Sequence, residues 1–371
     1  MDMNFYAPVS IITGKGCVAR GTDVFGKVGK RCLIVTGKSA AKRSGALDDV
    51  TALLDEIEVS YAVFDGIEQN PSYSSCLAAA TEAKKLSADF IFGIGGGSSL
   101  DAAKAVAVLA ACDDTSAAAM YSNCWDAAPL SVIAVGTTAG TGSEVTPVAV
   151  ITSPEGLKKS IRSPSLYPVA AFGDATYTMS LSPEFTRSTA LDALSHCLES
   201  YFNRTANDIS RTFSVRGIAI LIKMLERTAA ADREPLSFAE REELYCASLY
   251  GGLAIGVTGT AFPHALGYFL SEQYGIPHGN ACAVYLPDFI SHSIAAAPEE
   301  AKNLFLAVGT EPEALIALIN ANLPTLGVSL TEEKLAELAP RFEGHKSFAK
   351  SYGRVDRDFA VALLCRLFTA V

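Results

Sequence analysis

The sequence predicts two domains: an α/β domain with a parallel sheet over residues 1–178 and an all-helical domain over residues 179–371. Up to about residue 178, short apolar runs typical of buried strands alternate with segments of helical periodicity. This is the pattern of a parallel sheet with right-handed crossovers. Beyond that point strand-like runs disappear, and long segments rich in Ala, Leu and Glu dominate. A chain of 371 residues also suits two cores better than one.

The strands of the first domain are predicted from short apolar runs, several of which end at a turn signal. RCLIVT, at residues 31–36, runs without a break to Gly37, as expected for a strand buried on both faces. The pair Asn70-Pro71 marks a turn before the second helix. The predicted strands span residues 9–13, 31–36, 60–64, 89–94 and 130–135, and the predicted helices span 47–57 and 74–86.

The second domain is predicted from apolar residues that recur at helical spacing. No internal repeat or low-complexity tract is evident in it, so we expect helices throughout. The predicted helices span residues 183–202, 209–226, 238–255, 299–306, 311–320, 332–339 and 356–369.

The composition excludes several classes of partner. A net charge of −10 disfavours binding to the phosphate backbone of a nucleic acid. No run reaches the roughly 18 uncharged apolar residues of a membrane span, and the first residues lack a basic segment followed by an apolar one. The nine cysteines show no CxxC spacing, as expected for free thiols in a reducing compartment. We therefore expect a soluble cytoplasmic protein with no membrane or nucleic-acid partner.

Four side chains that suit a divalent metal occur in two segments of the second domain. Asp192 and His196 are four residues apart in RSTALDALSHCLESY, so on a helix they lie one turn apart. His264 and His278 follow in the apolar, small-residue surroundings of FPHALGYFLSEQYGIPHG. One carboxylate and three imidazoles bind a divalent ion and leave a position open. The alternative for Asp192 and His196 is a hydrogen-bonded helical pair, but three of only five histidines lie in these segments.

Two loops at the ends of predicted strands suit a diphosphate. Gly95, Gly96 and Gly97 stand between a buried strand and the helix that begins in SSLDAAK. Glycines there let the backbone approach a ligand, and the free N–H groups of the helix end favour an anion. A second loop, TTAGTGSE at residues 137–144, is rich in hydroxyl groups and follows the next strand. The alternatives are a tight turn and a solvent-exposed Ser/Thr turn, although two such loops in succession favour a ligand site.

Four motifs, GGGSSLDAAK, TTAGTGSEVTP, DALSHCLESY and HALGY…GIPHG, occur in an order that resembles the iron-containing (group III) alcohol dehydrogenases. The likeness is greatest to the shorter members, similar to 1,3-propanediol and butanol dehydrogenases, and extends over essentially the whole chain. It implies a dehydroquinate synthase-like architecture, in which the N-terminal domain binds a dinucleotide and the helical domain holds the metal. It also implies that the metal ligands and catalytic residues are Asp192, His196, His264 and His278.

The resemblance further implies which residues contact a nicotinamide cofactor. They are Gly37, Lys38, Ser39, Asn70, Gly95, Gly96, Gly97, Ser98, Asp101, Thr137, Thr138, Thr141, Ser143, Lys158 and Leu181. The choice of cofactor rests on Gly37, where NAD-specific proteins often have an acid that binds the ribose 2′-OH. Because Lys38, Ser39, Lys42 and Arg43 follow Gly37, we expect NADP(H) rather than NAD(H). The alternative is a solvated basic loop.

The resemblance implies hydride transfer between a carbinol carbon and C4 of the nicotinamide, with a metal that polarises the substrate oxygen. We expect Fe(II), although zinc, cobalt, nickel or manganese also suits these ligands. Short primary alcohols, diols or their aldehydes are the expected substrates, because small apolar side chains surround the ligands. Tyr268 stands where many relatives carry a further histidine, so an ordered water or the tyrosine hydroxyl is expected on the proton path.

Three other interpretations fit part of the pattern. A glycerol dehydrogenase-like enzyme or a dehydroquinate synthase-like lyase would share the fold, but the lyase needs a pocket rich in Lys and Arg. The metal segments here are mostly apolar. A non-catalytic nucleotide-binding protein needs no such ligand set, and a structural metal site requires a closed coordination sphere.

Residues 4–13 suit pairing across a twofold axis, so we expect a homodimer.

Overall fold

The computed structural model describes residues 3–229 and 235–369. The described chain forms two compact units: the first comprises Tyr6–Ser182 and Pro235–Gly256, and the rest forms the second. The first unit contains a parallel sheet with helices, and the second is helical, which confirms the predicted fold class. The predicted domain ranges, 1–178 and 179–371, stay a prediction.

The strands of the first unit are β1 (Ser10–Thr13), β2 (Arg31–Gly37), β3 (Ser60–Ile67), β4 (Phe90–Gly95), β5 (Ser131–Gly136), β6 (Val148–Thr152), β7 (Lys158–Arg162) and β8 (Ala170–Gly173). Six of them form one sheet in the order β1-β8-β5-β4-β2-β3, and every neighbouring pair is parallel. β6 and β7 form a separate antiparallel hairpin.

Helices of the first unit cover both faces of its sheet. They are α1 (Thr22–Val28), α2 (Ala40–Ser44), α3 (Ala46–Glu56), α4 (Tyr73–Leu86), α5 (Gly97–Ala111), α6 (Ala117–Ser122) and α9 (Phe238–Thr258). Leu33 and Val35 of β2 belong to one buried core with α4 and α5, whereas Cys32 and Ile34 belong to another with α1 and α3. Burial on both faces explains why Cys32–Val35 are apolar at successive positions.

Three strands of the first unit were missing from the prediction. The hairpin strand β7, KKSIR, is mostly polar and only Ile161 is buried, so it lacks an apolar run. β8, AAFG, is fully buried but only four residues long, which is too short to show a period. It nevertheless lies inside the sheet, between β1 and β5.

The second unit consists of helices and short 3₁₀ turns. Its α-helices are α7 (Pro183–Tyr201), α8 (Asp208–Thr228), α10 (Phe262–Gln273), α11 (His278–Ala283), α12 (Leu286–Ala296), α13 (Pro298–Val308), α14 (Pro312–Asn322), α15 (Glu332–Leu338) and α16 (Arg357–Phe368). α10, α11 and α12 were not predicted, because the Gly and Pro residues around them resemble breakers. Pro263 and Pro287 instead lie in the first turn of α10 and α12, where a missing N–H costs little.

Among the described residues, no single helix combines the length and the apolar composition of a membrane span. Two bent pairs of helices meet that criterion only when each pair is taken together.

Candidate metal centre and cofactor loops

Asp192 and His196 lie one turn apart on the buried face of α7. Both side chains are almost fully buried, and the His196 Nε2 atom is 3.9 Å from the Asp192 Oδ1 atom. Burial raises the pKa of Asp192, but the positive potential of the neighbouring imidazoles outweighs it and holds that pKa well below the usual value. The carboxylate is therefore an anion, and a buried anion is stabilised by positive charge beside it.

α10 and α11 bring the other two predicted ligands to the same carboxylate oxygen. The Nε2 atoms of His264 and His278 lie 3.6 Å and 4.0 Å from Asp192 Oδ1. A methyl group added at Gly279 would overlap the carbonyl oxygen of Ser188 on α7. The absence of a side chain at Gly279 thus allows α11 to approach α7 closely enough for His278 to reach Asp192.

The four side chains fit a divalent metal. Around an ion with bonds of about 2.1 Å, neighbouring ligand atoms are separated by roughly 3.0 to 3.4 Å, and the three Nε2 atoms lie only slightly farther than this from Asp192 Oδ1, at 3.6 to 4.0 Å. Asp192 Oδ1 and His264 Nε2 are buried and make no hydrogen bond within the described chain. Buried polar atoms are rarely left in this state unless an ion or water satisfies them.

Glu199 supports His264 from behind and was missed by the sequence analysis. It is fully buried on α7, and its Oε1 atom accepts a hydrogen bond of 2.5 Å from His264 Nδ1. Its Oε2 atom accepts a hydrogen bond of 2.6 Å from the backbone N–H of Ala261. With its proton on Nδ1, His264 presents the lone pair of Nε2 towards Asp192, as in carboxylate–histidine–metal arrangements. The sequence signal that could have found Glu199 was its helical spacing, because it lies two turns after Asp192.

Tyr268 lies beside the cluster, one turn beyond His264 on α10. Its ring is nearly parallel to the His278 imidazole, with centroids 5.9 Å apart and planes inclined by 15°. The Tyr268 ring therefore packs against the His278 imidazole. A role for the Tyr268 hydroxyl on the proton path stays a prediction.

In the first unit, the two predicted ligand loops lie against each other. A Cβ atom at Gly96 would be 2.9 Å from Thr138 Cγ2, and one at Gly97 would be 2.6 Å from Thr141 Cγ2. α5 begins at Gly97, so its free N–H groups point towards these loops. A Cβ atom added at Gly37 would lie 3.9 Å from Ser99 Oγ. The end of β2 is therefore close to the start of α5.

Asp101 belongs to a buried polar network behind the glycine loop. Its carboxylate accepts hydrogen bonds from Ser143 Oγ at 2.6 Å and from the backbone N–H of Val150 at 2.8 Å. Lys104 is fully buried, and burial lowers its pKa to about 8 although Asp101 and Glu144 act in the opposite direction. These contacts hold residues 143–150 against α5.

The remaining predicted cofactor residues occupy varied positions. The backbone N–H of Asn70 donates a hydrogen bond of 3.3 Å to Ser98 Oγ, so the turn before α4 contacts the glycine helix. Lys158 begins β7 and lowers the pKa of Asp101 by its charge, against the larger effect of burial. The carbonyl oxygen of Leu181 accepts a hydrogen bond of 3.4 Å from Arg241.

Lys38 and Ser39 lie exposed between β2 and α2. Near them, Lys42 forms an ion pair of 3.0 Å with Asp65 on β3. One of the three basic side chains expected to bind a 2′-phosphate is thus already paired, and both members of that ion pair are exposed to solvent.

Two family profiles match this chain. Residues 8–175 match the profile described as iron-containing alcohol dehydrogenase, and residues 186–352 match that of the C-terminal region of the same family. Together these matches cover most of both units.

The individual proteins to which this chain is similar include alcohol, 1,3-propanediol and butanol dehydrogenases. The chain is 29% identical to alcohol dehydrogenase 4 of Saccharomyces cerevisiae, over 91% of this chain and 90% of that one. It is 29% identical to the 1,3-propanediol dehydrogenase of Citrobacter freundii, over 87% and 81%. It is 28% identical to the NADPH-dependent butanol dehydrogenase of Clostridium saccharobutylicum, over 86% and 82%.

Solved structures with the same fold include two that cover almost the whole chain. An iron-containing alcohol dehydrogenase from Thermotoga maritima superposes with a TM-score of 0.89 at 33% identity, over 99% of both chains. A sulfoacetaldehyde reductase from Bifidobacterium kashiwanohense in complex with NAD⁺ superposes with a TM-score of 0.87 at 28% identity, over 100% of both chains.

Proposed function

This chain belongs to the iron-containing alcohol dehydrogenase family, and from that premise we propose that it interconverts short primary alcohols or diols and their aldehydes. It is a metal-dependent alcohol and aldehyde oxidoreductase that uses a nicotinamide cofactor. The observation that carries the proposal is the convergence of three imidazole nitrogens on one buried carboxylate oxygen, at 3.6 to 4.0 Å. Relatives named for butanol and 1,3-propanediol support the substrate class.

We assign the ligand roles to Asp192, His196, His264 and His278. When bound, the metal supplies Lewis acidity to the substrate oxygen, which is typically worth several kcal/mol at the transition state. Asp192 offsets the charge of the ion, and Glu199 holds the His264 ring so that Nε2 points at it. The predicted glycine and threonine loops would hold the cofactor, and the N-terminus of α5 would supply free N–H groups to its diphosphate.

Anaerobically purified protein supplied with the metal and NADPH is the test of this function. We expect steady reduction of propanal, butanal or 3-hydroxypropanal, followed by the fall in NADPH absorbance. No turnover of any aldehyde or alcohol with either nicotinamide cofactor, by protein of full metal content, would refute the proposal.

NADP(H) is the proposed cofactor, because Gly37 carries no acid to repel a 2′-phosphate and Lys38 is exposed beside it. We expect kcat/KM to be higher with NADPH than with NADH. Lys38→Ala should lower the value for NADPH about tenfold, the usual loss for a charge-assisted hydrogen bond, and should affect NADH less. Lys85→Ala is the control, since Lys85 is an exposed lysine already paired with Glu82. A clear preference for NADH in the unmodified protein would contradict this assignment.

Fe(II) is the proposed metal, although the ligand set also suits zinc, cobalt, nickel or manganese. Elemental analysis after anaerobic purification should find iron in proportion to activity. Full zinc occupancy in the active protein would replace iron by zinc in this assignment.

We also propose a cytoplasmic homodimer. All nine cysteines are free thiols, which supports a reducing compartment. β1 forms one edge of the six-stranded sheet, and its Ile11 side chain is 40% exposed. An open strand edge with an exposed apolar side chain suits pairing with a second copy across a twofold axis.

A further inference from the structure

Cys282 is a buried thiol that the function proposed above does not use. It lies one turn after His278 on α11, so both side chains leave the helix on the same side. Its Sγ atom is 3.7 Å from His278 Nδ1 and 3.8 Å from His278 Nε2. The side chain is completely shielded from solvent.

Gly267 on α10 leaves the space that the sulfur occupies. A Cβ atom at Gly267 would lie 2.9 Å from Cys282 Sγ and 2.8 Å from the carbonyl oxygen of Ala281. A larger residue at that position would push the thiol or the helix away from the cluster. α10 and α11 therefore position the sulfur next to the predicted ligands.

The sulfur belongs to a group of four potential ligand atoms. One atom each from Asp192, His264, His278 and Cys282 lies within 4.8 Å of all the others, and His196, one turn from Asp192, is outside this group. Two of these partners, Asp192 Oδ1 and His264 Nε2, are buried and make no hydrogen bond in the described chain. They point at the space that the sulfur also faces, so the thiol shares a site built for a cation.

From this arrangement we propose that Cys282 is a fifth metal ligand, which binds the ion as a thiolate. The proposal rests on the metal site assigned under the proposed function. The ion replaces the thiol proton, which passes to solvent, and a metal–sulfur bond of about 2.3 Å forms. The sulfur lies beside the His278 ring, nearly equidistant from its two nitrogens, so it must move towards the Nε2 side to share an ion with His278.

A thiolate changes which ions the site prefers. Sulfur is a soft donor that favours zinc and cobalt over hard ions such as magnesium and manganese. With the thiolate added, the ion would be held by Asp192, the three histidines and Cys282, and a six-coordinate ion would keep one position for the substrate oxygen. The alternative is that Cys282 only fills space between α10 and α11.

Cobalt(II) loading of the full-length protein separates these alternatives, with a readout that does not depend on turnover. A cobalt–thiolate bond gives an intense near-ultraviolet charge-transfer band, whereas imidazole and carboxylate ligands give only weaker visible d–d bands. We expect both sets of bands in the unmodified protein. Cys282→Ser should abolish the charge-transfer band and keep the d–d bands, and Cys282→Ala is a second variant in case the first folds poorly.

Cys197→Ser is the matched control. Cys197 is also fully buried, stands next to His196 on α7, and lies outside the group of four ligand atoms, so its replacement should leave the charge-transfer band unchanged. Visible d–d bands without a charge-transfer band in the unmodified protein, or a band that survives in Cys282→Ser, overturn the thiolate ligand but not the metal site. Failure of the unmodified protein to bind cobalt at all would instead remove the metal site and, with it, both proposals.

Discussion

His264→Ala is expected to lower kcat/KM for aldehyde reduction by about two to four orders of magnitude. His264 is the predicted ligand nearest to Asp192, at 3.6 Å, and the residue whose second ring nitrogen is held by Glu199. Its loss removes one ligand and the support behind it, and Lewis acidity at the substrate oxygen is worth several kcal/mol. Each ~1.4 kcal/mol is tenfold in rate. Steady-state kinetics and the metal content per chain are the two measurements.

The control for this variant is His345→Ala, which changes another histidine of the second unit. His345 lies outside the cluster, and its Nδ1 atom accepts a hydrogen bond of 3.3 Å from the backbone N–H of Ser347. It should keep its metal and its rate. Far-ultraviolet circular dichroism checks that His264→Ala is folded, since that change leaves the Oε1 atom of Glu199 buried without its imidazole partner. A folded His264→Ala protein with full metal content and a rate within tenfold of the original would exclude His264 as a ligand.

Gly279→Ala is expected to destabilise the second unit by about 3 kcal/mol or more and to release the metal. The added methyl overlaps the backbone oxygen of Ser188, and a backbone atom cannot move aside as a flexible side chain can. α11 must shift away from α7 and carry His278 with it. Urea unfolding of the metal-free protein measures the stability, and elemental analysis measures the metal.

Asn280→Ala is the comparison for Gly279→Ala, because Asn280 is the next residue of α11 and already has a Cβ atom. Asn280 is also buried, but its truncation adds no atom, so we expect a smaller loss of stability than in Gly279→Ala and full metal content. Equal behaviour of the two variants would show that the close approach of α11 to α7 does not hold His278 in place.

The metal ligands were predicted from the sequence because histidine is rare in this chain, with only five present, and because Asp192 and His196 have helical spacing. Glu199 and Cys282 gave no comparable signal. An acid at the end of a helix usually faces solvent, and a cysteine in a small-residue run is usually an inert core residue. Only the packing of α7, α10 and α11 reveals that both face the cluster.

The parallel sheet was predictable where strands are long and buried on both faces, as in β2 and β4. The strands that the sequence did not predict depend on contacts with residues far away in the chain. β8 has four residues with no pattern of their own, and it is a strand because β1 and β5 provide hydrogen-bonding partners on both sides. Similarly, Gly267 and Pro263 resemble helix breakers until their tertiary neighbours are known.

The position of β8 has a consequence for the growing chain on the ribosome. β1 is synthesised first, but its Ser10 pairs with Ala170, and β8 is its partner within the sheet. β1 therefore cannot pair until nearly half of the polypeptide has been synthesised. Until then, the edge of β5 that pairs with β8 has no hydrogen-bonding partner. Such a late, long-range closure is slow, and nascent chains stalled before residue 170 would expose the kind of edge that promotes aggregation.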